Sequence, residues 1–335
     1  MLSRVANSLY WMSRYLERAE NIARIVDVNL QLLLDFRNLD DQALAGHWVP
    51  IVQSTGEEQA FFALHPKATG QTVTQFLVFQ AENPNSIVSS MAQARENARM
   101  VRDQVTVELW EELNRLYLFL KSKAARDLWK RSPFEFLQEI KACSLHLQGL
   151  TDATAMHNEG WQFMQVGKYL ERADKTTRML DVRHASAHDG SNGAGVSQSE
   201  ALEWSAVLRS CSAWDAYKAL HGAEVSPRLV AEFLIFSEDF PRSVLFCTRA
   251  VDTALRAISG ASAGRFTNRA EKLCGRLLPE LQFSTIDEIF EVGLHTYLDI
   301  AQQKLNAIGE AVFDAYIFQR FDSFDESFQQ QQQQQ

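Results

Sequence analysis

Tyr15-Leu16-Glu17-Arg18-Ala19-Glu20, followed by Arg24 and Asp27, has a second version further along the chain. It reads Tyr169-Leu170-Glu171-Arg172-Ala173-Asp174, followed by Arg178 and Asp181. Each of these positions is displaced by 154 residues (15 to 169, 27 to 181), and Arg14 and Val28 are answered by Lys168 and Val182 at the same offset. Neither stretch holds Gly or Pro between the tyrosine and the second aspartate, and Leu, Glu, Arg and Ala favour helix. Glu20–Arg24 and Asp174–Arg178 are i,i+4 acid-to-base pairs in the favourable order. In the first version Leu9, Leu16, Ala23, Leu30 and Leu33 form an apolar stripe, and Arg14, Glu17, Asn21 and Arg24 form a polar stripe beside it. The spacing predicts a helix over about Leu2–Arg37, roughly 50 Å long at 1.5 Å per residue.

The repetition extends outward. Trp48 is answered by Trp204, Ser54 by Ser210 and Ala63-Leu64-His65 by Ala219-Leu220-His221. Phe76-Leu77-Val78-Phe79 is answered by Phe233-Leu234-Ile235-Phe236, and Pro84-Asn85-Ser86 by Pro241-Arg242-Ser243. The offsets grow only from 154 to 157, so small loop changes account for the drift. A period this long implies two domain-sized halves rather than a solenoid. No extended period-2 strand pattern occurs. The expected architecture is all-α: an internally duplicated multi-helix bundle whose halves, 1–154 and 155–328, are related by a pseudo-twofold. Asn38–Gly46 reads as a turn, Trp48–Leu64 as one or two short helices with Pro50 near a first turn, and about Thr72–Gln80 as a helix. Helices also follow Ser86, span Val107–Ala125 and run from Pro133 to about His157. Ala185–Ser199, rich in Gly, Ser, Ala and Asn, reads as a linker within the second half, and the glutamines of 329–335 as a disordered tail.

Composition narrows the function classes. Apolar residues at 46% and charged residues at 22% suit a folded chain with a sizeable core. A net charge of −9 argues against nucleic acid or an anionic membrane as a general partner. Cys143, Cys211, Cys247 and Cys274 lack metal or redox spacing and read as core residues in a reducing compartment. Arg4, Asn7 and Arg14 interrupt the opening segment, no apolar run reaches 18 residues, and a cytoplasmic location is expected.

These stretches, with Met1-Leu2-Ser3-Arg4-Val5-Ala6, Ala94-Arg95-Glu96-Asn97-Ala98-Arg99 and Gly160-Trp161, resemble the bacterial alpha-E family, a helical domain named for its Glu-Arg motif. The resemblance covers the chain except the glutamine tail. It implies an association with circularly permuted ATP-grasp proteins thought to form amide bonds, with transglutaminase-like peptidases as further neighbours. It supplies neither a reaction nor catalytic residues.

Two residue groups are candidates for function. The first is the motif pair. Arg14, Arg18, Asn21, Arg24, Arg172 and Arg178 could grip a carboxylate or phosphate, with Glu17 or Glu171 as a general base. The same residues could instead form a buried, mutually satisfied charge network that docks the two halves. The second group is Arg95, Glu96, Asn97, Arg99 and Arg102. Arg95, Arg99 and Arg102 are expected on one helix face, with Asp103 four residues beyond Arg99. The later half has Asp252, Thr253, Ala254, Arg256 and Ser259 at these places, so packing would not require the other side chains, and a single site per chain or a solvated face both fit. His184 and His188 have i,i+4 spacing beside Asp189, and Glu291 with His295 shares it, but neither forms a recognisable ligand set, and no metal or cofactor is expected. His65 and His221 read as core or cap residues. Two functions stay open: an accessory helical partner of an ATP-grasp-type ligase, or an enzyme of amide chemistry using a Glu-Arg site.

Overall fold

The computed structural model describes residues 1–35, 41–188, 198–262 and 264–318. Sixteen α-helices and no strand occur among them. In order they are α1 (Ser3–Asp35), α2 (Asp41–Thr55), α3 (Glu58–Leu64), α4 (Gly70–Thr74), α5 (Ile87–Met100), α6 (Val107–Lys121), α7 (Lys123–Arg131) and α8 (Pro133–Thr154). Then come α9 (Glu159–His188), α10 (Gln198–Ser210), α11 (Trp214–His221), α12 (Pro227–Phe236), α13 (Val244–Ser259), α14 (Arg269–Phe283), α15 (Ile286–Val292) and α16 (Leu294–Val312).

The two helices that carry the motifs, α1 and α9, lie against each other at the centre. Helices α5 and α8 pack on α1, and α13 and α16 pack on α9. One continuous apolar core runs through both sets and includes the fully buried Trp48, Trp204, Phe61, Phe76 and Tyr217. His65 lies against Phe61 and meets the Gln80 side chain at 2.8 Å, while His221 lies against Tyr217 and Phe233. Both are packing residues, as their apolar settings imply.

Local chemistry explains where the helix boundaries depart from expectation. Helix α2 starts at Asp41, so much of the Asn38–Gly46 segment is helical and Pro50 sits inside the helix rather than in its first turn. The expected helix at Val107–Ala125 breaks at Ser122. The extended backbone of Ser122 ends α6, and its hydroxyl accepts from the Ala125 amide to start α7. Ser132, Ser226, Ser243, Asn268 and Thr285 cap later helices in the same way. Helix α4 widens into a π-helical turn at Gln75–Phe79, which seats Phe76, Leu77 and Val78 in the core. The glutamine tail and residues 189–197 of the expected linker, Asp189 among them, lie outside the described residues, as do the His184 and His188 side chains.

Candidate functional site: a reciprocal Glu-Arg seam

Each motif supplies the counterion of the other. Arg172 on α9 donates from Nε to Glu17 Oε1 (2.9 Å) and from Nη2 to Glu17 Oε2 (2.8 Å), a bidentate clamp. Arg18 on α1 returns the arrangement, with Nε to Glu171 Oε1 at 2.7 Å and Nη2 to Oε2 at 2.9 Å. Arg14 adds a bond from Nε to Glu171 Oε2 at 2.8 Å. The expected proximity of the two Glu-Arg pairs is therefore realised, with the charges crossed.

Glu17 is 2% exposed and Glu171 not at all, whereas Leu16 beside Glu17 is only half-buried. The polar stripe of α1 thus faces inward as fully as the apolar one. The charged groups of the seam are all paired, and the Asn21 amide nitrogen alone among its side chains is buried without a partner. Arg242, from the loop between α12 and α13, donates to Glu17 (2.6 Å), Asn21 (3.0 Å) and Glu20 (2.6 Å). Arg24 donates to Glu20 at 2.8 Å within α1. From α8, Ser144 and Gln148 donate to the other Glu20 oxygen at 2.7 and 2.8 Å. On the opposite side Arg178 bonds Asp174 at 3.0 Å and Lys175 lies 3.4 Å from it. Asn85, from the loop before α5, accepts from Arg18 and donates to Glu57. Farther along, Lys141 of α8 bonds Asp27, and His295 of α16 bonds Asp181.

Electrostatics follow from this geometry. Burial opposes ionisation of Glu17, but the Arg172 and Arg242 guanidiniums outweigh it and hold the carboxyl at about 2, below its ordinary 4.5. At Glu171 burial is likewise overcome by Arg18 and Arg14, and its pKa falls well below the usual range. A carboxylate stabilised so strongly as the anion, and shut away from solvent, is a poor proton acceptor. Glu17 and Glu171, the candidate bases, have the geometry of closed ion pairs.

A pH dependence follows. Because the folded pKa of Glu17 lies below its unfolded value, the associated stability is fully present above about pH 4.5 and is lost as pH falls toward 2. The shift corresponds to about 3 kcal/mol. Urea unfolding from pH 6 to 2 is expected to show this loss, with a flatter acid limb in Glu17→Gln; parallel profiles for the two proteins would count against it.

The second group is assembled differently from the sequence expectation. Helix α5 ends at Met100 and Arg102 lies in a following 3-10 turn, so Arg95, Arg99 and Arg102 do not share one helix face. Arg99 is exposed and pairs with Glu96 rather than Asp103, and the Asn97 side chain donates to the Gln93 carbonyl. Arg95 lies over the rings of Tyr117 (4.6 Å) and Trp110 (5.4 Å) and donates to Asn114 at 2.7 Å. Arg102 also lies over Trp110, at 5.5 Å, and donates to the Val105 carbonyl. Arg95 holds α5 and Arg102 holds the following turn against α6, a packing role that the Asp252 and Ser259 of the aligned positions concealed. Arg95→Ala is expected to cost about 1–2 kcal/mol by chemical denaturation, with Arg99→Ala leaving the melting temperature unchanged. A silent Arg95→Ala would contradict the stacked assignment.

Arg242 and Gln148 were missed as members of the seam. Arg242 was visible only as the counterpart of Asn85 in the Pro-x-Ser pair, and a loop residue carries no periodic signal of burial. The four cysteines are buried and unpaired, and burial pushes the Cys211 and Cys247 thiols up to about 12, which leaves them inert packing groups. Among the described residues no group of His, Cys, Asp and Glu is arranged to hold a metal ion, and no helix is long and apolar enough to cross a membrane.

Comparison with known proteins agrees with the motif. An uncharacterized protein of Mycobacterium bovis, and one from each of two strains of Mycobacterium tuberculosis, are 26% identical to the chain over 308 residues. The match covers 86% of this chain but 33% of each relative, so the chain spans about a third of the length of these proteins. No solved structure matches it. The Alpha-E family, described as a predicted alpha-helical domain with a conserved ER motif, matches residues 1–317, and the chain belongs to that family.

Proposed function

We propose that the chain is a non-catalytic helical module that works beside an ATP-grasp-type amide ligase, as scaffold or substrate holder, in making or processing peptide-like amides. A transglutaminase-like peptidase is a further partner under the same reading. The observation that carries the non-catalytic part is the closure of the Glu-Arg seam, in which both motif glutamates are buried and clamped by guanidiniums. Side chains committed this way fix how helices dock; they do not turn over substrate. The length of the mycobacterial relatives supports a module joined to other domains.

The module is built, on this reading, from two duplicated halves, 1–154 and 155–328, related by a pseudo-twofold. Helix order supports it: each run of eight opens with a long motif helix and closes with a long helix packed beside it. Partners support it too, since Asp27–Lys141 and Asp181–His295 are displaced by the same 154 residues. A crystal structure in which residues 1–125 and 155–280 failed to superpose helix for helix would remove the duplication.

The functional test is reconstitution. The chain is combined with a purified ATP-grasp-type ligase and amide formation is followed by ADP release and mass spectrometry, omitting each in turn. The chain alone is expected to be inactive, and its addition is expected to raise the ligase's product yield or substrate affinity. Turnover by the chain alone, abolished in a folded Glu17→Gln variant, would instead establish the enzyme.

A further inference from the structure

The two motifs are not equivalent at their leading cation. Arg14 is drawn into Glu171 and also donates to the Tyr10 hydroxyl at 2.8 Å. At the matching place in the second motif stands Lys168, and Glu17 takes its second guanidinium from Arg242 instead. Lys168 is left without a hydrogen bond or close ion pair among the described residues; its ammonium lies over the Tyr169 ring at 4.7 Å.

Lys168 opens onto a groove of about 390 Å³ between α9 and α13. One turn earlier on α9, Gln165 lines the same groove, is 5% exposed, and its amide has no partner among the described residues. Neither the Gln165 amide nor the Lys168 ammonium is committed to a protein acceptor, so both are free to donate to a ligand in the groove. Part of the remaining wall is apolar and aromatic, with Tyr169 and Phe246 in contact and Trp161 stacked on His157, and Asp152, Gln162 and Thr253 complete it. Arg249, the other cation on the wall, is already engaged by Glu238. Burial and the neighbouring Arg172 lower the pKa of Lys168 against the opposing pull of Asp152 and Glu17, and an arriving anion would add to that pull.

We propose that this groove is a binding site for an organic carboxylate bearing an aromatic or branched apolar group, such as the C-terminal end of a short peptide. The carboxylate accepts from Lys168 Nζ and the Gln165 amide, and the apolar group lies along Tyr169 and Phe246. The volume falls in the range of small-molecule sites, and a few convergent polar groups in an apolar wall are their usual composition. The site goes beyond the seam, which it borders through Lys168 and through Tyr169, whose ring lies under Arg172, and needs no ligase.

The experiment is isothermal titration of the full chain with N-acetylphenylalanine, N-acetylphenylalaninamide and acetate. N-acetylphenylalanine is expected to bind, with the amide and acetate each at least about tenfold weaker, because one lacks the charge and the other the ring. Lys168→Met is expected to weaken binding by about tenfold or more. Thr253→Trp, which fills the groove from its exposed rim on α13, is expected to abolish binding with the melting temperature kept, so the outcome does not hang on whether the lysine variant folds. No heat from N-acetylphenylalanine at ~10 mM, a concentration at which a fragment of this size in the groove would be detected, would overturn the proposal. Equal binding of the amide, or binding unaltered by Thr253→Trp, would overturn it as well.

Discussion

Glu17→Ala is expected to destabilise the protein by about 3–5 kcal/mol, the range seen when one partner of a buried ion pair is removed. The loss would come less from the pair itself than from what is left behind. Arg172 and Arg242 are 5% and 6% exposed. Arg172 would keep only the Gln148 amide and the Pro241 carbonyl as acceptors, while Arg242 would keep Glu20 and Asn21. A guanidinium with neutral acceptors only and no access to water is the costly state. Thermal or urea denaturation checks this, with Glu96→Ala as the control: that carboxylate is exposed, and its loss is expected to leave the melting temperature unchanged. A Glu17→Ala protein as stable as the parent would mean that solvent or a neighbouring side chain reaches the seam.

The second large effect is expected at Gly167. This glycine lies within α9 where it crosses α1, and a Cβ added there would stand 2.3 Å from the Tyr10 carbonyl oxygen and 3.1 Å from its carbon. Replacing glycine by alanine inside a helix normally stabilises by up to about 1 kcal/mol. Here the clash is with backbone, which cannot rotate aside, so the two central helices must separate. Gly167→Ala is expected to cost about 3 kcal/mol, the upper part of the usual range for overpacking. The seam amplifies the loss, because Arg172 and Glu171, one turn further on, must keep their bonds across the same crossing. Gly160→Ala makes the informative comparison: its nearest neighbours, at 2.9 Å, are the ends of the Leu9 and Met1 side chains, which can move. A Gly167→Ala protein more stable than the parent would show that the helices do not approach so closely.

The helical class and the central pair were legible because the signals are local. Glu20–Arg24 and Asp174–Arg178 announce helix by spacing alone, and the structure retains both pairs. The proximity of the two motifs was also readable, since a buried acid requires a base and each motif offers both. What the sequence did not disclose was non-local. Which arginine serves which glutamate depends on the crossing of α1 and α9, which Gly167 permits and no periodicity encodes. Arg242 enters from a loop, and Asn85, the residue aligned with it in the sequence comparison, differs in charge, so that comparison pointed away from it. Arg95 and Arg102 misled in the opposite way: their replacement by Asp252 and Ser259 suggested dispensable side chains, yet the rings of Trp110 and Tyr117 that they cover belong to α6. The break at Ser122 was missed because Val107–Ala125 holds no Gly or Pro, and a serine ends a helix there only by starting the next.

A buried ion pair is not by itself a source of stability, since desolvation can cancel the attraction between the charges. Its value lies in specificity. With Glu17 tied to α9 and Glu171 tied to α1, any slide or rotation of one motif helix past the other would strand charges in the core. The seam therefore fixes one register for the whole bundle.

The claim that the motifs clamp each other, rather than serve a reaction, is tested most directly by a double-mutant cycle in urea. It compares the parent, Glu17→Gln, Arg172→Met and the double variant. Mutual clamping predicts a coupling free energy of about 2 kcal/mol or more between the two positions, within the range for contacting buried residues, in a single cooperative transition. Coupling below about 0.5 kcal/mol, the level of independent sites, would contradict it.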